Sequence, residues 1–520
     1  MWLLVRILVL HVLLVQSADD FLYGTFPDGF KWSTATSAYQ IEGAWNKTGK
    51  GENIWDRFCH VGGNVLNNET GDVACDSYHK YPKDIQLMKN LGVSMYRFSI
   101  SWARIFANGT KDSYNQAGVD YYNRLINALI AAGIEPMVTL YHWDLPQPLM
   151  DIGGWVNESL IEYYVDYADT CFRKFGDRVK LWLTFNEPFV VTWVGYGTGD
   201  HAPGIKRPGD APYRAAHTIL KSHAEAWHLY NDTYRPTQNG KISITLDCDW
   251  KEPRTANQKD KDAAERALLF KLGWYAHPIF KTGDYPEVMK QRVEEKSRLQ
   301  NLTKSRLPEF TEREKKRLLG THDFFGFNHY TTQMISHKDE PLNPPSYWRD
   351  QDIDEYRDPS WPDSGTDWLK SVPWGFRKLL KYIKDTYGNP VIYITENGVS
   401  DKCQCLDDTD RIEYYTAYIN QMLKAVKLDH VDVVGYTAWS LLDNFEWNSG
   451  YSQRFGLHYV NFTDPNRTRT PKKSVDFYKK LIKDNGFPQP PTGGASLPPA
   501  PWRFYSFMLA GVAVWYLIKA

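Results

Sequence analysis

Cysteine is scarce in this sequence. Six in 520 residues are too few for a disulfide scaffold at that length, and no Cys-x-x-Cys pair nominates a zinc site. One or two bridges among Cys59, Cys75, Cys171, Cys248, Cys403 and Cys405 would suit an extracytosolic chain, with the pairing open. Charge of one sign is also missing: 61 Lys and Arg stand against 62 Asp and Glu, a formal charge of −1, whereas a nucleic-acid binder needs a basic surplus or stripe. No HExxH helix, P-loop or Gly-x-Gly-x-x-Gly turn occurs, so metal, phosphate and dinucleotide chemistry have no footing and no cofactor is expected. Internal repeats and mid-chain linkers are absent as well, which favours one large domain. Aromatic residues are what the chain has in quantity: 20 Trp, 33 Tyr and 24 Phe, 15% of the whole. Such a surplus serves a large core, or a pocket that stacks on the flat apolar faces of rings.

The two ends differ from the middle. Residues 1–17 place one Arg in an apolar stretch followed by small residues and Asp19-Asp20, the pattern of a secretory leader cleaved near Ser17 or Ala18. Eight Asn-x-Ser/Thr acceptor sites, at Asn46, Asn68, Asn108, Asn157, Asn231, Asn301, Asn461 and Asn466, fit a glycosylated protein of the secretory pathway. After Phe487 the chain becomes rich in Pro and Gly, and then apolar from Phe504 to Ile518. The expected division is a leader over 1–18, a folded domain over 19–487, a stalk over 488–503, and over 504–520 a membrane segment or GPI-attachment signal. A membrane is therefore an expected partner, through the C-terminal anchor.

Between residues 22 and 487, short β-rich runs alternate with amphipathic helical patterns, the signature of parallel βα units. Strands are predicted at 31–39, 94–100, 135–141, 179–185, 241–247, 323–329, 390–395 and 432–439. Helices are predicted at 121–132, 160–175, 215–230, 262–275, 375–387, 410–427 and 474–485. Eight such units close into an α/β fold, a single (β/α)8 TIM barrel, with long βα loops at 249–261 and 333–372. Chemistry in this fold sits where the strands end. Strand one ends near Gln40, and strand two carries Arg97. Strand three ends in Tyr141-His142-Trp143, strand four in Asn186-Glu187, strand six in Asn328-His329-Tyr330, strand seven in Glu396-Asn397, and strand eight in Trp439 with Glu446 and Trp447 in its loop. Two carboxylates, hydrogen-bonding side chains and indoles converge on one mouth, as a polyhydroxylated ring requires.

Taken singly, a strand-end Glu is more often an ion-pair partner than a catalyst, His142 suits a satisfied core histidine, and Trp102, Trp182 and Trp193 read as core. Taken together, Glu187 in Thr-Phe-Asn-Glu-Pro and Glu396 in Tyr-Ile-Thr-Glu-Asn-Gly make a catalytic pair. Positions three strands apart in an eight-strand barrel lie about 14 Å apart at the backbone. Inward side chains then leave roughly 5 Å between the carboxyls, the separation of a retaining rather than an inverting glycosidase.

Seven motifs, in order, resemble glycoside hydrolase family one, the retaining β-glycosidases, and within it the animal lactase and lactase-like, Klotho-related branch. They are FPDGFKW (26–32), SAYQIEG (37–43), YRFSISW (96–102), YHWDLP (141–146), TFNEP (184–188), YITENG (393–398) and WSLLDNFEW (439–447). The resemblance covers about residues 22–487. It implies that Glu187 is the acid/base and Glu396 the nucleophile. It also implies that Gln40, His142, Trp143, Asn186, Trp439, Glu446, Trp447 and Phe455 hold the sugar, that Trp368 flanks the leaving group, and that Arg97, Asn328 and Tyr330 order the nucleophile. A small-molecule β-glucoside or β-galactoside is the implied substrate. Glu446 and Tyr-Ser-Gln-Arg-Phe (451–455) disfavour phosphorylated sugars. His329, and Val-Pro-Trp-Gly at 372–375, depart from the family pattern on the leaving-group side. The competing classes are a Klotho-like binding barrel without turnover and a transglycosylase.

Overall fold

The computed structural model describes residues 20–403 and 405–489. The expected leader 1–18, the stalk from residue 490 onward and the tail 504–520 lie outside the described residues. Eight parallel strands close a barrel: β1 (Lys31–Ala35), β2 (Met95–Ser99), β3 (Glu135–Tyr141), β4 (Leu181–Asn186), β5 (Lys241–Asp247), β6 (Phe325–Asn328), β7 (Ile392–Asn397) and β8 (Val433–Trp439). Each pairs with its chain neighbours, and β8 closes on β1 through Gly435–Trp439 against Lys31–Ala35. Helices such as Gln116–Ala131, Leu160–Phe175, Ala211–Leu229, Trp374–Tyr387 and Thr409–Lys427 connect the strands. Among the described residues no helix is long and apolar enough to cross a membrane.

Period-two alternation explains why only one mouth is open. On β2, Tyr96 and Phe98 join the main core, whereas Met95 packs inside the barrel with Met137, Leu181, Leu183, Phe324 and Tyr393. Each such buried side chain contributes about 2 kcal/mol, and together they fill the N-terminal end of the barrel. Arg97, two residues beyond Met95 on the same face, therefore points into the space above them.

Several boundaries differ from expectation for identifiable reasons. Strand one stops at Ala35 rather than running to 39. Ser99 Oγ accepts from the Ala38 N–H at 2.7 Å and starts a helical turn, Ala38–Ile41, that carries Gln40. The expected long loops are partly sheet: Trp250–Pro253, Thr332–His337 and Ile353–Tyr356 form three strands flanking the mouth. The helix expected from 262 starts at Gln258, because Asn257 caps it by accepting from the Asp260 N–H at 2.8 Å. Cys403 and Cys405 form a disulfide, while Cys59, Cys75, Cys171 and Cys248 are buried thiols.

A buried ion network ties down the loops after β7 and β8. Arg411 contacts Asp401 at 2.9 Å and also pairs with Asp408, while Lys472 bridges Asp401 at 2.6 Å and Asp443 at 2.9 Å. Arg411→Met would strip Asp408 of its guanidinium and leave it only the N–H and hydroxyl of Ser474. Denaturant unfolding is expected to show a loss of about 3–5 kcal/mol, because a buried carboxylate without its cation keeps its desolvation penalty. A loss under about 1 kcal/mol would mean that water compensates the charge.

Candidate active site

Strict alternation alone would not place both carboxylates in the funnel. On β7, Tyr393 belongs to the plug and Thr395 donates to Asn328 Oδ1 at 2.7 Å, so the next residue should face outward. The β7–β6 ladder, however, slips between Ile394 and Glu396, which brings Glu396 opposite Asn328. On β4 the ladder slips between Leu183 and Asn186, re-aiming Asn186 inward. Glu187 follows in the left-handed region at φ 47°, and its N–H donates to Thr245 O at 3.0 Å. A non-glycine residue held there costs roughly 1–3 kcal/mol, a strain typical of functional positions.

The two carboxylates share one cavity of about 630 Å³ and are 7% and 4% exposed. Their partners differ. Glu396 Oε1 accepts from Arg97 Nη1 at 2.7 Å, and Oε2 accepts from the Tyr330 hydroxyl at 2.7 Å. Glu187 Oε1 accepts only from the Asn328 amide, at 2.7 Å. Burial pushes both carboxyls up. For Glu396 the Arg97 charge and the Tyr330 hydrogen bond oppose the rise, whereas the negative charges of Asp247 and Glu396 push Glu187 well above the usual carboxylate range. Glu187 thus faces negative charge and one neutral donor, whereas Glu396 faces a guanidinium and a hydroxyl.

The other expected residues fall into two layers. His142, Trp143, Asn328, Tyr330, Trp368, Trp439, Glu446, Trp447 and Phe455 line the cavity, and Arg97, Asn186 and Gln40 lie behind it. Asn186 Oδ1 accepts from Arg97 Nη2 at 2.6 Å, while its Nδ2 donates to His142 Nε2 at 3.1 Å. Burial and the nearby Arg97 keep His142 neutral, as an acceptor nitrogen requires. Gln40 gives both amide hydrogens to the protein, to Asn444 Oδ1 and Phe445 O at 2.9 Å each, and accepts from Ser37 at 2.7 Å. Asn328, expected on the nucleophile, hydrogen-bonds Glu396 and also donates to Glu187, at 2.7 Å.

The platform is a set of rings. Trp447 lies 4.5 Å from Trp143 and 4.7 Å from Trp55, and His142 is near-parallel to Trp439 at 5.9 Å. Glu446 Oε1 is buried without a hydrogen-bond partner. Burial and the Glu396 charge raise its pKa to about 8, against the Trp439 side chain, which hydrogen-bonds it. An under-bonded carboxyl beside an indole platform can accept two ring hydroxyls. At the rim, Trp368 is 40% exposed and meets Tyr330 edge-on at 5.7 Å.

Several cavity residues were not anticipated. Trp193, read as core, is half-buried and lines the cavity opposite Trp348, as do Phe189, Asp247, Asp249 and Lys271. The end of strand five, Leu-Asp-Cys-Asp, was the signal for two of them. The departure at His329 lies behind the site: the ring stacks on Phe376 at 4.8 Å and its Nδ1 meets Cys248 O at 2.9 Å.

A closed parallel barrel with two buried, differently partnered carboxylates beneath indoles defines the class: a (β/α)8 protein built around a paired-carboxylate, ring-lined cleft. The chain belongs to glycosyl hydrolase family 1, whose pattern matches residues 22–487. Lactase/phlorizin hydrolase of Homo sapiens is 56% identical over 478 residues, which are 91% of this chain and 25% of that protein. The chain thus spans about a quarter of that relative's length. Cytosolic beta-glucosidase of Homo sapiens is 50% identical over 89% of this chain and 98% of its own. The structure of an aphid myrosinase superposes with a TM-score of 0.85 at 45% identity, covering 88% of this chain and 99% of that one.

Proposed function

We propose that this protein is a retaining β-glycosidase that hydrolyses O-linked β-glucosides or β-galactosides by double displacement. The observation that carries this reading is the asymmetry of the buried pair: both oxygens of Glu396 are held by Arg97 and Tyr330, while Glu187 has one neutral donor. A Glu396 oxygen attacks the anomeric carbon, the bond to the leaving oxygen breaks, and the Glu187 proton passes to that oxygen. The ester cancels the Glu396 charge, Glu187 becomes more acidic, and it then takes a proton from the water that attacks the same carbon and frees Glu396. Trp439 forms the ring platform, with His142, Trp143, Trp447 and Phe455 around it. Glu446 grips the hydroxyls at the fourth and sixth carbons. Gln40 and Asn186 support the contacts from behind, and Trp368 flanks the leaving group. An acceptor carboxyl tolerates either orientation at the fourth carbon, which supports both sugars.

The proposal extends to the compartment. A leader over 1–18, a barrel over 19–487, a stalk over 488–503 and a tail over 504–520 put the cavity on the extracytosolic side of a membrane. Asn46, Asn68, Asn108, Asn301 and Asn466 are exposed, and Asn157, Asn231 and Asn461 are half-buried, so none of the eight acceptor sites is sealed in the core.

The test is proton NMR of the first sugar anomer released from an aryl β-glucoside by the chain expressed with its own leader. Initial β-anomer is the expected result. Initial α-anomer would replace retention by inversion, and no turnover of glucoside or galactoside by folded protein would support a binding barrel instead.

A further inference from the structure

Beyond the pair itself, the strand next to Glu187 carries a second charged cluster. Asp247, the last residue of β5, is opposite Asn328 in the β5–β6 ladder, and Asn328 is the amide that donates to Glu187. The Glu187 N–H in turn bonds Thr245, two residues earlier on the same face of β5. Asp247 and Glu187 line the same cavity. Asp247 Oδ2 meets Lys271 Nζ at 3.1 Å, Lys271 lies 3.6 Å from Asp249, and its ammonium sits 4.8 Å from the Phe189 ring centroid. Asp247 Oδ1 is buried and has no hydrogen-bond partner. One oxygen is therefore neutralised and the other is bare, in a region where water screens little.

We propose that Asp247, anchored by Lys271, is a positioning residue that holds the proton on Glu187 by through-space repulsion until the leaving group takes it. The inference rests on the reading of Glu187 as the acid/base. The other charged or titratable groups lining the cavity with Glu187 are Glu396 on β7, Tyr330 after β6, His142 after β3, Asp200 and His201 after β4, Cys248 and Asp249 after β5, Glu446 after β8, Lys271, Tyr347 and Arg357. Arg97 is engaged by Glu396, and Lys251 on the flanking sheet is paired with Glu355 at 2.6 Å. After burial, Asp247 is the strongest influence raising Glu187, ahead of Glu396, and Lys271 acts in the opposite direction. The two carboxylates also differ in timing. The Glu396 charge disappears when the glycosyl-enzyme forms, whereas Asp247, whose carboxyl burial pushes up against the pull of Lys271, takes no part in the ester and is not discharged by its formation. Asp247 therefore limits how acidic Glu187 becomes when it must act as base.

The sign follows directly. Removing the Asp247 charge favours ionised Glu187, so the acid form is lost at lower pH. The experiment is the pH profile of kcat/KM for an aryl β-glucoside with the wild-type chain and Asp247→Asn. That ratio reports the free enzyme, so a lost leaving-group contact lowers the curve without moving its limbs. Asp247→Asn is expected to move the basic limb toward acid, enough to cost about three- to tenfold in normalised kcat/KM at a pH on the wild-type limb. An unmoved limb in folded Asp247→Asn overturns the proposal.

A second readout needs no turnover. In Glu396→Gln protein, the Glu187 carboxyl is titrated by carbon-13 NMR with and without Asp247→Asn, and should ionise at lower pH in the double variant. If the wild type does not hydrolyse the glucoside, the glycosidase reading fails. The carbon-13 titration then still decides whether Asp247 governs Glu187, and coincident curves refute it.

Discussion

Glu396→Gln is expected to leave less than about one ten-thousandth of the wild-type kcat toward an aryl β-glucoside, with the fold intact. The amide cannot form the ester through which both displacement steps run, so even an activated leaving group gains nothing. The change is nearly isosteric, and the amide oxygen can still accept from Tyr330 or Arg97. The ion pair at 2.7 Å is lost, so some stability should go with it, since Arg97 is 1% exposed and keeps its charge. Circular dichroism and a thermal melt separate that loss from the catalytic one. Folded Glu396→Gln with more than about 1% of wild-type kcat would remove Glu396 from the nucleophile's role. The same substitution, by cancelling a neighbouring charge, should lower the pH at which Glu187 ionises.

Glu187→Ala should divide substrates by leaving group. Alkyl β-glucosides and disaccharides, whose leaving oxygen needs a proton, are expected to lose about 10³- to 10⁴-fold in kcat/KM. Dinitrophenyl β-glucoside departs without that proton, so the first step survives while the second, now without a base, slows. The expected trace is a burst of phenolate stoichiometric with enzyme, then slow turnover. Added azide, a nucleophile that requires no base, should accelerate that turnover. Equal losses for both substrate types, with no burst, would refute the assignment. Removing Glu187 also leaves the Asn328 amide to Glu396 and to Asn186 Oδ1, the latter at 3.1 Å. Glu187→Gln, which keeps an acceptor for that amide, should show the same division of substrates at higher stability.

Local periodicity explains how much of the barrel was legible. Glu135–Tyr141, Lys241–Asp247 and Leu160–Phe175 coincide with the expected strands and helix because each is a long run of one period. The flanking sheet leaves little trace in the sequence because its strands are short and polar, and Ile353–Tyr356 pairs with residues some twenty positions away, His337 to Met334. Trp193 looked like core because an indole in an apolar run reads the same whether it meets other rings or an open cleft.

The sequence by itself determined the order of the βα units, the placement of Glu187 and Glu396 at strand ends and the aromatic character of the mouth, since these depend on residues adjacent in the chain. Tertiary structure decided which side chains reach the funnel. Alternation would have turned Glu396 outward; the slip of β7 against both β6 and β8 aims it in, and a slip exists only once the strands are paired. It also decided how the surroundings of the two carboxyls differ. Glu187 and Glu396 are the same residue type, and they differ only because closure brings Arg97 and Tyr330 to one and Asp247 to the other. Electrostatic environment is set by groups far apart in the chain and near in space, so no local pattern can encode it.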